Sequence, residues 1–440
     1  MTSTRIEMAC RQCHSPLNTL GEAGHFRYIH PLAAGIRDHQ PDPVPASQLD
    51  TLARQCDFCG DQYPLWTLVG GDVAAVAVGD SGGLWQNYGD RWAACATCEQ
   101  LIAAGKAGAV VGRAAVAYGW RGNPDGRDRI AELHNAFLRG LQPGRTLITT
   151  TAWPATPLRA QDLPKVRDRL ARLYRGSDIL PDPYTDTELR HAVAESLDRA
   201  KLYWIDPDFT DLAEHATAQL PDTTLDTDAP PAGDGLLLWC RPVTARQIAA
   251  ASWSATDDGY QIICYRHLGA GVDPNTLQRV REQVGWLAPT TLAHASTTEP
   301  LPHGGPASAL VATWLLITQQ IAVAVPAELD RATRKSYARQ HRSVPDVRIV
   351  RIKARSTRRA DKTGAATGTG RGPLQQREWV GEHWKQQAFG PGRSQHKLIY
   401  IAPYLRGPDD KPIRASTTVR VLGSARVPRH TKRQSNSDSE

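Results

Sequence analysis

Apolar residues recur at helical spacing in three stretches of the middle of the chain. From Arg127 to Leu138, from Pro164 to Tyr174 and from Thr187 to Tyr203 they fall three and four positions apart, which predicts amphipathic helices. Pro154, Pro157, Pro181 and Pro183 break the intervals. Beyond an acidic, proline-bearing linker at 221–234, the pattern becomes that of strands. Leu236-Leu237-Leu238-Trp239-Cys240 and Ile248 to Trp253 are short apolar runs, and Gly259 to Tyr265 alternates after an Asp257-Asp258-Gly259 turn. Ala309 to Ile317 is apolar on every side, starts near Pro306 and is cut by Thr318-Gln319-Gln320. This predicts a helix over 307–322 buried on the sheet, too short to span a bilayer. Val347-Arg348-Ile349-Val350-Arg351-Ile352-Lys353 alternates apolar with cationic residues as a further strand.

The N-terminal third is dominated by cysteine spacing instead. Six of the 8 cysteines form three Cys-x-x-Cys pairs, Cys10/Cys13, Cys56/Cys59 and Cys95/Cys98. Two thiolates on a tight knuckle reach one metal ion at about 2.3 Å, and two knuckles complete a tetrahedron. Cys56/Cys59 and Cys95/Cys98 pair as a four-cysteine zinc site, separated by a long ribbon carrying Trp66, Trp85 and Trp92. Cys10 and Cys13 then need histidines. His14, His25, His30 and His39 follow, with His30 and His39 the best completion and His25 the alternative. The expectation is two structural zinc ions with no position left for a reacting water. Other thiol pairings and disulfides remain open; no apolar h-region opens the sequence, which speaks against disulfides. Cys240 and Cys264 lie in apolar runs and read as buried thiols.

At 440 residues with 41% apolar content, the chain can bury several modest cores. The fold class expected is α+β in several units. These are a zinc-binding module at 1–107, a mainly helical region at 108–220, an α+β unit at 221–353, a flexible basic loop at 354–373, a basic β-hairpin cassette at 374–425 and a disordered tail at 426–440. No stretch reads as a membrane span, so a cytoplasmic location is expected. Charge is segregated. From Arg331 onward there are 25 Lys+Arg against 8 Asp+Glu, a net of +17; before it there are 27 against 37, a net of −10. High-GC coding explains the preference for Arg over Lys, not the segregation of sign. A polyanion partner for the C-terminal region, nucleic acid above all, is implied.

The densest constellation lies there. Strand-forming residues flank Gly390-Pro391-Gly392, which predicts a hairpin carrying His383, Lys385, Gln386, Gln387, Arg393, His396 and Lys397 near Trp379, Trp384, Phe389, Tyr400 and Tyr404. Cationic and amide donors interleaved with aromatics suit phosphate contacts and base stacking. The alternative is a hairpin whose aromatics pack inward while its charges face water. The string Gly381-Glu382-His383-Trp384-Lys385-Gln386-Gln387-Ala388-Phe389-Gly390-Pro391-Gly392-Arg393-Ser394, with Ile401-Ala402-Pro403-Tyr404 and Gly407-Pro408, resembles the C-terminal cassette of uncharacterised zinc-knuckle proteins of high-GC Gram-positive bacteria and their phages and plasmids. The knuckles at Cys56-Asp57-Phe58-Cys59 and Cys95-Ala96-Thr97-Cys98, and Asp330 to Lys335, are similar to modules beside it. The resemblance covers a short part of the chain and implies a mobile-element setting.

Three functional readings follow. The first is a nucleic-acid-binding accessory or regulatory protein using His383, Lys385, Gln386, Arg393, His396 and Lys397. The second is a nuclease or defence effector with His383 and His396 as general base and acid. The third is a protein-interaction scaffold. No Walker motif, serine elbow or dinucleotide fingerprint is present.

Overall fold

The computed structural model describes residues 6–22, 25–31, 37–79, 82–176, 179–353, 376–408 and 412. The expected loop at 354–373 and tail at 426–440 lie outside the described residues. The chain forms two compact units, Met1–Lys353 and Ala354–Glu440. Helices and several sheets coexist, so the class is α+β.

The first unit opens with β1 (Met8–Cys10), β2 (Asn18–Glu22), β3 (His25–Ile29) and β4 (Pro43–Pro45), then a long hairpin of β5 (Trp66–Gly79) and β6 (Gly82–Ala94). Helices α1 (Ala96–Ala103), α2 (Ala107–Ala117) and α3 (Pro124–Arg139) and the short β7 (Thr146–Leu147) follow. β1 pairs with β4, and the others form a five-stranded sheet in the order β3-β2-β6-β5-β7. Glycine lets β5 lie against α3. A Cβ on Gly70 would stand 2.7 Å from the Phe137 ring, and one on Gly71 would stand 2.7 Å from the Ala136 carbonyl oxygen. No side chain fits there.

The remainder runs α4 (Leu163–Gly176), α5 (Thr187–Arg199), β8 (Lys201–Ile205), α6 (Pro207–Ala218), β9 (Asp234–Val243), β10 (Ile248–Thr256), β11 (Gly259–His267), α7 (Pro274–Gln283), β12 (Leu287–Ser296), α8 (Ser308–Ile317), β13 (Ala322–Pro326), α9 (Arg331–Arg339) and β14 (Val347–Ile352). Its seven strands are ordered β12-β11-β10-β9-β8-β14-β13, with β8 parallel to both neighbours and every other pair antiparallel. Four successive residues of β9, Leu236 to Trp239, are buried, so both faces of the sheet must be covered. Leu236 and Leu238 join Val193 and Leu197 of α5 in one cluster. On α8, Thr313 Oγ1 accepts the Trp239 indole N–H at 3.2 Å, and Trp314 meets Trp253 edge-on at 5.2 Å. Among the described residues no helix is long and apolar enough to cross a membrane.

Two sequence expectations need correction. The helix read from Thr187 to Tyr203 ends at Arg199, and Lys201 to Ile205 is strand β8. Branched and aromatic residues there, together with burial between β9 and β14, outweigh the helical spacing. The helix read over 307–322 ends at Ile317, and Ala322 already begins β13. Because β8 precedes residue 220 and pairs with β9, the sheet crosses the position where composition suggests a linker. The stretch 221–234 is anchored by buried Leu225 and Ala229 and by a bridge between Thr223 and Leu301.

The second unit holds β15 (Glu378–Val380), β16 (His383–Phe389), β17 (Gln395–Ile401) and β18 (Tyr404–Arg406). β15 pairs with β18, and β16 with β17, both antiparallel.

His267, at the end of β11, is 2% exposed, and neither ring nitrogen has a hydrogen-bond partner among the described residues. Burial pushes its pKa down to about 4. The unfolded chain, with imidazole near 6.5, therefore binds the extra proton between pH 6.5 and 4, and folded stability falls as pH drops through that window. His267→Leu should flatten this fall, read as the denaturation midpoint at pH 7 and pH 5. An unchanged pH dependence would count against it.

Candidate metal centres and the C-terminal hairpin

The second and third Cys-x-x-Cys pairs converge. Cys56 to Cys59 form a knuckle closed by Gly60 N–H donating to the Cys56 carbonyl at 2.7 Å, with Gly60 at φ 72°. The knuckle is fastened to the end of β6: Asp57 N–H donates to the Ala93 carbonyl at 2.8 Å, and Ala93 N–H donates to Asp57 Oδ2 at 2.6 Å. Cys95 caps α1, its sulfur accepting the Cys98 N–H at 3.4 Å, and Cys98 sits in the helix's first turn. All four cysteines are buried, and their sulfurs lie within 4.8 Å of one another. Cys59 and Cys95 sulfurs are 3.9 Å apart. A tetrahedral ion with bonds of about 2.3 Å spaces its sulfurs roughly 3.8 Å apart, whereas a disulfide needs about 2.0 Å. All eight cysteines are free. The set can hold a metal ion.

Four thiolates around a divalent cation leave a net double negative charge. Two features offset it. The N-terminus of α1 presents its positive dipole end to Cys95 and Cys98. Arg113 of α2 places Nη2 3.7 Å from Cys59 Sγ and 3.9 Å from Cys95 Sγ. Behind the site, Phe58, Trp92, His134 and Phe137 pack ring on ring, with Trp92 stacked on Phe137 at 4.5 Å.

The first pair is completed by histidines. Cys10 Sγ lies 3.4 Å from His39 Nε2, and Cys13 Sγ lies 3.4 Å from His30 Nε2. Metal bonds of about 2.3 Å to sulfur and 2.0 Å to nitrogen give an edge of roughly 3.5 Å. Asp38 Oδ1 is 2.8 Å from His39 Nδ1, which fixes the tautomer that turns Nε2 to the cluster. Only Cys10 of this set is buried. His25 is exposed on β3, outside the cluster.

The hairpin separates the remaining candidates. Across β16 and β17, Lys385 faces Ile399, Gln387 faces Lys397, and His383 faces Ile401 at the open end. Alternation puts Trp384, Gln386, Ala388, His396, Leu398 and Tyr400 on the other face. His383 and the partner of His396, Ala388, stand five positions apart, roughly 17 Å along the strand, and on opposite faces. The two imidazoles are not brought to one phosphate, so the expected acid–base pair is not assembled. His383 Nδ1 is 2.9 Å from the Gly381 carbonyl oxygen. Arg393 is exposed in the turn at φ 58°. Trp384 and Tyr400 meet edge-on at 5.2 Å, and Tyr400 is 5% exposed.

Elsewhere, Cys264 donates to the Pro306 carbonyl at 3.4 Å and burial pushes its thiol up to about 12. Asp258 serves the β10–β11 turn, accepting from Thr256 at 3.0 Å and lying 3.1 Å from His294. Sequence reasoning missed Arg113, which no spacing rule ties to the knuckles. Asp38 was readable as the carboxylate preceding His39. Compared with protein-family models, curated proteins and solved structures, the chain matches none.

The two donor sets differ in exposure, so metal should leave them at different rates. Transfer to a chromophoric chelator should show two phases, with the faster one lost in His39→Ala. Arg113→Met should speed the slower phase about 10-fold or more, the usual scale for a partner just outside the ligands. A single phase insensitive to both changes would contradict this account.

Proposed function

We propose that this chain is a nucleic-acid-binding accessory or regulatory protein of a mobile genetic element, held in shape by two structural zinc ions. The C-terminal hairpin is its contact surface. One observation carries the reading. Lys385, Arg393 and Lys397 are exposed and make no ion pair with any described residue, and residues 383–401 contain no carboxylate side chain to offset them. Three cations on a hairpin without a carboxylate leave a positive field for a polyanion.

Zinc is the ion the donors suit. Thiolate and imidazole in tetrahedral spacing favour it, while magnesium and calcium take oxygen ligands. A site closed by four protein ligands supports structure, not water activation.

Binding to labelled nucleic acid should weaken steeply with salt. Replacing Lys385, Arg393 and Lys397 together by Ala should flatten the slope of log affinity against log salt by about one unit per lost contact. Metal analysis of protein purified without added zinc should return about two zinc equivalents. Absence of binding at low salt would reject the functional reading, and a folded, metal-free protein would reject the zinc assignment.

A further inference from the structure

We infer that the ligand of the hairpin is duplex DNA, entered at the major groove. This deepens the nucleic-acid reading above and rests on it. β16 and β17 are seven residues each and pair with no third strand among the described residues. They form a two-stranded ribbon. The major groove of B-form DNA, about 12 Å wide, admits such a ribbon, while the minor groove, about 6 Å wide, takes strands where the protein bends and widens it.

The register decides which face would enter. Lys397 stands directly opposite Gln387, and Lys385 lies two residues along on the same face. Two cations therefore flank an amide in the middle of one face, and exposed Arg393 adds a third charge at the turn. Gln387 Nε2 donates to the Ala388 carbonyl at 3.1 Å, leaving Oε1 as an acceptor for the exocyclic amino groups at the groove floor. Lysines at the edges suit the phosphates that border the groove.

The aromatic arrangement argues against single strands. Proteins that grip single strands stack bases on bare aromatic faces. Here Trp384 and Tyr400 lie on the face opposite the lysines, packed edge-on against each other, and Tyr400 is buried. Phe389, on the cationic face, is 40% exposed with the Lys397 ammonium 5.4 Å from its ring centroid, so that face of the hairpin offers one ring and no series of rings for successive bases. Double-stranded RNA is disfavoured because its major groove is too deep and narrow for side chains to read.

The test uses the full chain and fluorescence anisotropy with a mixed-sequence DNA duplex, its separated strands, and RNA duplex of the same sequence at one salt concentration. Duplex DNA should bind about tenfold or more tightly than the others. Methyl green, which occupies the major groove, should displace the protein, and netropsin, which occupies the minor groove, should not. Lys385→Ala with Lys397→Ala should weaken duplex binding about tenfold or more, while Lys106→Ala, at an exposed cation of the first unit, changes it less than about twofold. All three lysines are exposed, and circular dichroism checks that the variants remain folded. Equal or tighter binding to single strands or RNA, or displacement by netropsin, overturns the groove assignment while the nucleic-acid reading stands. No binding to any of the three probes overturns both.

Discussion

Four buried thiols whose sulfurs lie within 4.8 Å of one another can hold a metal ion, and a cation bound there would stabilise the core around it. Without one, either four thiolates repel in a medium that screens poorly, or four weak S–H donors occupy a site where packing could be apolar. With one, binding free energy becomes folding free energy. The consequence reaches beyond the knuckles. The site joins the Cys56 turn, the end of β6 and the start of α1. Cys56, Cys59, Cys95 and Cys98 belong to one cluster of buried residues that continues through α4, α5 and β9 to Val347. Arg266 of β11 adds a second tie, donating to the carbonyls of Asp50, Thr149 and Arg246. Loss of the centre would loosen the whole unit.

The clusters that could hold metal were legible because their chemistry is local. Cys-x-x-Cys spacing fixes two thiolates on one turn, and His30 and His39 were the histidines placed to complete Cys10 and Cys13. The hairpin was legible for the same reason, since Gly390-Pro391-Gly392 interrupts two strand-forming runs. What failed depended on partners distant in sequence. Lys201 to Ile205 continue the helical spacing of α5, yet β9 and β14 on either side make them a strand. Arg113 lies far from the cysteines it serves in any linear pattern. The faces of the hairpin required its register, because one residue of slip would exchange Lys385 and Gln386 between sides.

Residues 383–401 carry Lys385, Arg393 and Lys397 and no carboxylate. Codon bias accounts for abundant arginine but not for where arginine meets carboxylate. In the first unit Arg167, Asp168, Tyr337 and Arg342 form a network that ties α9 to α4. Pairs at the surface, such as Arg199 with Asp234, each stabilise by about 0–1 kcal/mol, so they matter more for the field the surface projects than for the fold. The hairpin lacks this compensation.

That lack has a cost within the hairpin itself. A two-stranded ribbon is marginal in water without a packed face; here Trp384 packs on Tyr400 near the open end and the Lys397 ammonium lies over Phe389 near the turn. Lys385 and Lys397 are diagonal neighbours across the strands, so their like charges oppose pairing. An anion laid along that face would offset the repulsion. Under the proposed function, an anion on the cationic face therefore strengthens the pairing of β16 with β17.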